Sequence, residues 1–403
     1  MTAEALGQTL QQQEPDKIWN KAFINLFIAN MMFNMGQFMS NSLLPVYADS
    51  LGAPAALVGI VVSTFAISAM LFRLISAPIM DTYNRKYIVI FAALMLAIAF
   101  AGFSVSTSIP WLVGFRLFQG CGMAFGNACC LAMVSDMIPK DQYGSGIGYY
   151  SMAQVISQAL GPSIGLWLVE HAGYSAAFGF NAAIMLVTIV LATQIKLNFK
   201  RSKKLQMTFH NIIAKEALLP TALLLLLIMG YSTVNSFLIL FAIQQGIASS
   251  SIGLYFTVSA VTMLVTRPAL GRLTDKFGLP YVCIPGLLLN ILAYFIISYS
   301  HTLMGFLVAA FFSAFGQGAV QPAMQALSMK SVTSERRGAA SSTNYIGMDI
   351  GILVGPIISG YLAQSFGYGM MFRIMVFPYI LTILLLILGK SRIDRVEKEF
   401  SAN

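Results

Sequence analysis

Ionisable side chains are scarce in the apolar runs of this chain, and those that occur are the first candidates for chemistry. Arg73, Arg116, Arg267 and Asp349 stand within runs long enough to cross a bilayer, where each charge costs about 2.5–3.5 kcal/mol at the helix centre on insertion scales. Such groups persist where they pair, bind a ligand or carry a proton. Asp349 is the one acid well inside a run, two residues from both Gly347 and Gly351, so it points away from their stripe and shares a face with Ser342 and Tyr345. A carboxylate held there is a candidate for coupling to protons, with Arg116 tuning the field around it. Equally, Tyr345 or an arginine could hold it as a fixed buried group. Amides recur on helical faces as well. Asn30, Asn34, Gln37 and Asn41 fall four, three and four apart; Arg116, Gln119, Met123 and Asn127, then Tyr231 with Asn235, then Gln317, Gln321 and Ser328 form similar stripes. Amides facing lipid are costly. They either line a wet cavity, where they would bind substrate, or bond helix to helix.

These residues are organised by an internal repeat. Arg73 to Lys86 reads RLISAPIMDTYNRK, and 194 positions on, Arg267 to Pro280 reads RPALGRLTDKFGLP, so Arg73 returns as Arg267 and Asp81 as Asp275. The same shift pairs Asn41 with Asn235, Gly59 with Gly253, and Gly161-Pro162 with Gly355-Pro356. Arg116 has no such twin, because Ala310 occupies its place. That asymmetry suits a substrate or coupling site, although an arginine bonded to neighbouring amides would also be a satisfied buried group. Arg73 and Arg267 lie about 12 Å, eight residues, inside Asp81 and Asp275. Their repetition suggests a structural pair at a gate made with Asp81, Arg85, Asp136 and Asp275, with Asp136 reaching Arg85; direct substrate contact is the alternative.

Composition sets the class. Of 403 residues 57% are apolar and 10% charged, and mean hydropathy is +0.76, which excludes an ordinary soluble domain. Apolar runs of the roughly 20 residues that span a bilayer are predicted at 19–47, 54–80, 87–107, 109–134, 146–169 and 176–195, then at 218–243, 250–272, 281–300, 303–329, 339–363 and 370–389. The expected fold is an all-α membrane protein of twelve transmembrane helices in two parallel six-helix repeats. Its parts are an N-terminal tail (1–18), a bundle (19–195), a linker (196–217), a second bundle (218–389) and a C-terminal tail (390–403). Of 24 Lys and Arg, 20 fall in the tails, the linker and the turns on their side of the membrane, which places both termini in the cytoplasm. The +9 charge is then loop asymmetry rather than a sign of nucleic-acid binding. Residues 1–17 carry no basic segment or cleavage site, so no removed signal peptide is expected. Cys121, Cys129, Cys130 and Cys283 read as core residues, and His171, His210 and His301 have no ligand spacing. No nucleophile–base or metal constellation occurs, so neither an enzyme nor a cofactor is expected.

At this point the chain resembles the major facilitator superfamily. The charged turns are similar to its G-x-x-x-D-x-x-G-[RK]-[RK] signature: the second copy supplies Gly271, Asp275 and Gly278, while the first has Ala77 and Asn84 but keeps Asp81, Arg85 and Lys86. A small first residue would let two helices approach. Arg116, Gln119 and Gly120 resemble the R-x-x-Q-G signature, and Gly161, Pro162 and Gly165 resemble the G-P-x-x-G signature of antiporters, with Leu166 following. Ladders of small residues, ending in Gly161 and Gly165 and repeated as Gly347, Gly351 and Gly355, imply close helix packing, static or sliding. The resemblance implies a secondary transporter akin to the twelve-helix drug:proton antiporters, with helices 1, 4, 7 and 10 around a central cavity and Phe33, Phe38, Phe118 and Phe125 in its walls. It implies a monomer in the cell membrane, with a small-molecule substrate, protons and lipid as partners. With no acid in helix 1 and three interior arginines, the expected cargo is a small amphipathic compound, neutral, zwitterionic or anionic, exported against proton entry. Uptake or exchange of an organic anion, and a non-transporting receptor on the same fold, are the alternatives.

Overall fold

The computed structural model describes residues 20–137, 143–195, 213–333 and 336–402, and among them every regular element is helical. Helix α1 is Lys21–Ser50, α2 Ala55–Thr82, α3 Arg85–Val105 and α4 Ile109–Met137. Tyr143–Gln194 is broken at Gly173, where φ is 81°, into α5 (143–172) and α6 (174–194). A short 3-10 turn, Lys215–Ala217, leads into α7 (Leu218–Gln244), α8 (Ser249–Phe277), α9 (Leu279–Tyr299) and α10 (Leu303–Lys330). Arg337–Ile374 is broken at Gly367, φ 79°; its first part, 337–366, is α11, and 368–374 with Phe377–Leu388 is α12. The C-terminal stretch Lys390–Ala402 is a further helix, α13, docked through buried Ile393 and a bond from Lys390 Nζ to Tyr281 Oη at 2.9 Å. Eight stretches of the described residues are apolar and long enough to cross a bilayer, two of them running through the breaks at Gly173 and Gly367. Helix α1 is not among them, because its amides dilute the apolar run.

The repeat is written into the backbone. Gly52 and Gly246 have φ of 83° and 79°, and the breaking glycines Gly173 and Gly367 stand 194 residues apart. Left-handed backbone favours glycine, which has no Cβ to clash. Gly278 has φ of 88°, whereas its counterpart Asn84 has φ of −64° and caps α3 by accepting from Lys86 N at 3.0 Å. The first turn therefore has no need of its second glycine. Packing follows the same symmetry: α1 lies on the 143–194 stretch as α7 lies on α11, α2 on α4 as α8 on α10, and α3 on α4 as α9 on α10. Between the copies, α2 meets α11 and the 143–194 stretch meets α8.

Close backbone approach makes these contacts. A Cβ on Gly351 would lie 2.7 Å from the Leu225 carbonyl oxygen, and one on Gly253 2.9 Å from Ser163 Cα. Gly271 behaves otherwise: nothing lies within 4 Å of its Cβ position. The expectation that it lets two helices approach therefore does not hold in this conformation, and Ala77 in the first copy needs no special account. Gly351→Val should lower the melting temperature of the detergent-purified protein, overpacking of this kind costing about 1–3 kcal/mol, while Gly271→Ala should melt at or above wild type.

Candidate functional site

Ala56 N donates to Gln364 Oε1 at 3.3 Å, so α2 starts and α11 ends at one end of the bundle, the far end. Helices α1 and α7 begin at the opposite, tail end. Near the far end the copies touch: Gly59 abuts the Pro356 carbonyl, and Thr257 Oγ1 donates to the Ala159 carbonyl at 2.7 Å. On the tail side of these contacts lies a cavity of about 590 Å³. Its lining reaches Leu131, Tyr150 and Gln325, which stand towards the tail ends of their helices.

Seven of the expected binding residues line it: Asn30, Asn34 and Asn41 on α1, Tyr231 and Asn235 on α7, and Gln317 and Gln321 on α10. Asn34 Nδ2 bonds the Asn30 carbonyl and Oδ1 at 2.8 and 2.9 Å, which occupies amide donors that would otherwise need water. Gln158 on α5 donates to Tyr231 Oη at 3.3 Å and so joins the copies across the cavity. The lining also includes Gln154 and Gln158 on α5, Gln325 on α10, and Tyr345 and Met348 on α11, none of which the sequence reading placed there. The signal was present, since Gln154 and Gln158, like Gln321 and Gln325, are four apart.

Helix α4 presents a different face from the one expected. Of its described residues only Leu131 lines the cavity; Phe118 is exposed on the outside, and Phe125 packs on Phe72 and Phe91. Phe33 is fully buried against Gly126, so Phe38 alone of the four expected phenylalanines is in the wall. Met123 is half-buried and away from the lining. Arg116 is fully buried and donates through Nη1 to Gln119 Oε1 at 2.7 Å; Gln119 Nε2 donates to Gln37 Oε1 at 2.9 Å, and Gln37 Nε2 to Asn41 Oδ1 at 3.4 Å. A chain of polar bonds thus runs from Arg116 to the cavity wall at Asn41. Arg116 Nε and Nη2 have no hydrogen-bond partner, and the guanidinium stands 4.9 Å from the ring of Phe65, a lining residue.

Beside the cavity the copies are joined by charge. Arg73 on α2 holds Asp349 on α11 bidentately, Nε to Oδ2 at 2.8 Å and Nη2 to Oδ1 at 3.2 Å, with the guanidinium 4.7 Å from the Tyr345 ring centre. Only 15% and 6% of the two side chains remain accessible. Gly347 and Gly351 meanwhile face Thr221 and Leu225 of α7, so Asp349 projects opposite to the packing stripe. Arg267, grouped by sequence with the gate, lines the cavity. Arg85 opens α3. The side chains of Asp81, Asn127, Asp136 and Asp275, and the expected Asp136–Arg85 contact, lie outside the described residues. The expected packing glycines Gly161 and Gly165 face Phe38 and Met39 of α1, while Pro162 is buried. On α11, Gly355 faces Met229, and Pro356 both abuts Gly59 and lines the cavity.

Comparison with known proteins gives a consistent picture. The family model described as Major Facilitator Superfamily matches residues 26–215 and 221–402. The chain is 22% identical over 390 residues to an uncharacterized MFS-type transporter of Methanocaldococcus jannaschii, covering 94% of this chain and 100% of that one. It is 26% identical over 355 residues to the multi-drug resistance efflux pump PmrA of Streptococcus pneumoniae, covering 82% and 86%. It is likewise 26% identical over 348 residues to the multidrug resistance protein MdtG of Salmonella arizonae, covering 82% and 85%. Among solved structures, an aspartate-to-alanine mutant of the nucleoside transporter NupG superposes with a TM-score of 0.77 at 13% identity, covering 92% of this chain and 99% of that one, which is a likeness of fold.

Removing one partner of a buried ion pair strands the other and costs about 3–5 kcal/mol, whereas removing both is far milder. Asp349→Asn and Arg73→Gln should therefore each lower the melting temperature in detergent markedly, and the double variant should recover much of the loss. Additive losses in this double-mutant cycle would show that the pair does not hold the copies together.

Proposed function

Because the chain belongs to the Major Facilitator Superfamily, we propose that it is a secondary transporter that exports a small amphipathic organic compound, neutral, zwitterionic or anionic, against proton entry. Twelve spanning helices, α1–α12, form two bundles, 19–195 and 218–389, joined by the linker 196–217, with both termini in the cytoplasm and α13 docked there. The tail-side cavity then opens inward, and rocking of the copies about it provides alternating access. The efflux-pump name of the relative PmrA supports the export direction.

The observation that carries the coupling is the Arg73–Asp349 pair, a carboxylate bound across the moving interface at the edge of the substrate cavity. Asp349 either holds Arg73 or takes a proton, because protonation removes the charge that the guanidinium binds. Proton arrival therefore releases α2 from α11, and proton loss to the cytoplasm restores the bond. Arg116, through Gln119 and Gln37, sets the field and hydrogen bonding at the wall by Asn41. The gate side chains Asp81, Arg85, Asp136 and Asp275 complete a latch at the tail end.

A stabilisation screen in detergent supplies a ligand whose flux is then followed in proteoliposomes. Wild type should accumulate it against its gradient when a pH gradient is imposed. The Arg73→Gln/Asp349→Asn double variant, which strands no charge, should retain counterflow but lose most gradient-driven accumulation. Full accumulation by that variant would sink the assignment of Asp349.

A further inference from the structure

The shift that maps Arg73 onto Arg267 maps Asp349 onto Val155. Of two symmetry-related arginines, one is neutralised by a carboxylate from the opposite copy, while the position that would supply the other's carboxylate is apolar. Arg267 lines the cavity, and it is the one charged residue among the described residues that do so. Its Nη2 reaches only the thioether of Met263, at 3.1 Å, and its Nε is buried without a hydrogen-bond partner. A thioether is a weak acceptor, and a guanidinium drawn out of water has a strong demand for an anionic one. Around it the wall offers Tyr231, Asn235, Gln317 and Gln321, neutral groups able to donate or accept. Apolar surface is supplied by Phe38, Phe65, Val62, Ile228 and Ile352.

We propose that Arg267 is an anion-binding site and that the transported compound is an organic monoanion, its carboxylate on Arg267 and its hydrophobic body against the apolar part of the wall. This rests on the transporter reading and narrows its substrate class. An apolar residue at the counterpart of Asp349 is what leaves the site open: by the repeat, an acid at position 155 would pair with Arg267 as Asp349 pairs with Arg73. A cationic compound would meet a positive charge that no carboxylate among the described lining residues offsets.

The test uses a matched pair of probes, 2-naphthoate and 2-naphthamide, which differ in charge and little in shape. Binding of each to the purified full-length protein is measured by equilibrium dialysis, with protein-free micelles as reference. Wild type should prefer naphthoate by about tenfold or more, the equivalent of one charge-assisted hydrogen bond. Arg267→Gln should bring that ratio close to one, and Arg267→Lys, which keeps the charge, should retain most of it. No preference in wild type, or a preference that survives Arg267→Gln, overturns the proposal. Counterflow of naphthoate in proteoliposomes separates the two readings. Arg267-dependent binding without counterflow upholds the anion site and removes the transporter reading, whereas counterflow with an unaltered preference in Arg267→Gln removes the site and leaves transport standing.

Discussion

Contact between helix backbones is what this structure depends on. Lipid tails are as apolar as leucine, so no hydrophobic drive brings spanning helices together, and association relies on close packing and on bonds between the few polar groups. Small residues make that packing possible. Within the copies they seat α11 on α7 through Gly351; between the copies they seat α2 on α11 through Gly59 and α8 on α5 through Gly253. These close backbone approaches between copies lie near the far end, and the cavity lies on their tail side.

Two-fold repetition supplies the frame, and departures from it supply the chemistry. Asp349 has Val155 as its twin, and Arg116 has Ala310. The first departure leaves one interior arginine paired and the other facing the cavity. The second places a buried cation on one side only, bonded through Gln119 and Gln37 towards Asn41. A strictly symmetric pair of bundles would carry equal charge on both walls. Here the wall acquires a direction, with a bridging ion pair at α2 and α11 and, at α8, a guanidinium with no carboxylate partner among the described residues. The departure of Asn84 from Gly278 is of another kind, because it changes only how the backbone turns.

Buried polar groups show how little slack a membrane interior allows. Asn30 with Asn34, Gln158 with Tyr231, and Arg73 with Asp349 each satisfy one another in place of water. Some buried polar atoms have no such partner, among them Arg116 Nε and Nη2 and Arg267 Nε.

The sequence by itself determined the all-helical fold, the repeat and the shared faces of polar residues on α1, α7 and α10, because apolar run length and 3.6-residue periodicity are local properties that survive without knowledge of neighbours; it left Lys390–Ala402 as a tail, which the structure folds into α13. It also determined that Asp349 turns away from Gly347 and Gly351, a matter of angle around one helix. Only the tertiary structure decided which arginine Asp349 would meet, since Arg73 is 276 residues away and the choice depends on how one copy sits against the other. The rotation of α4 was likewise a tertiary outcome: its amides and phenylalanines occupy several faces, and packing against α2 and α3 turned Gln119 towards Gln37 and Phe118 outward. The same holds for Arg267. By sequence it is Arg73's twin, and only the structure showed Arg73 bonded to Asp349 and Arg267 in the cavity wall.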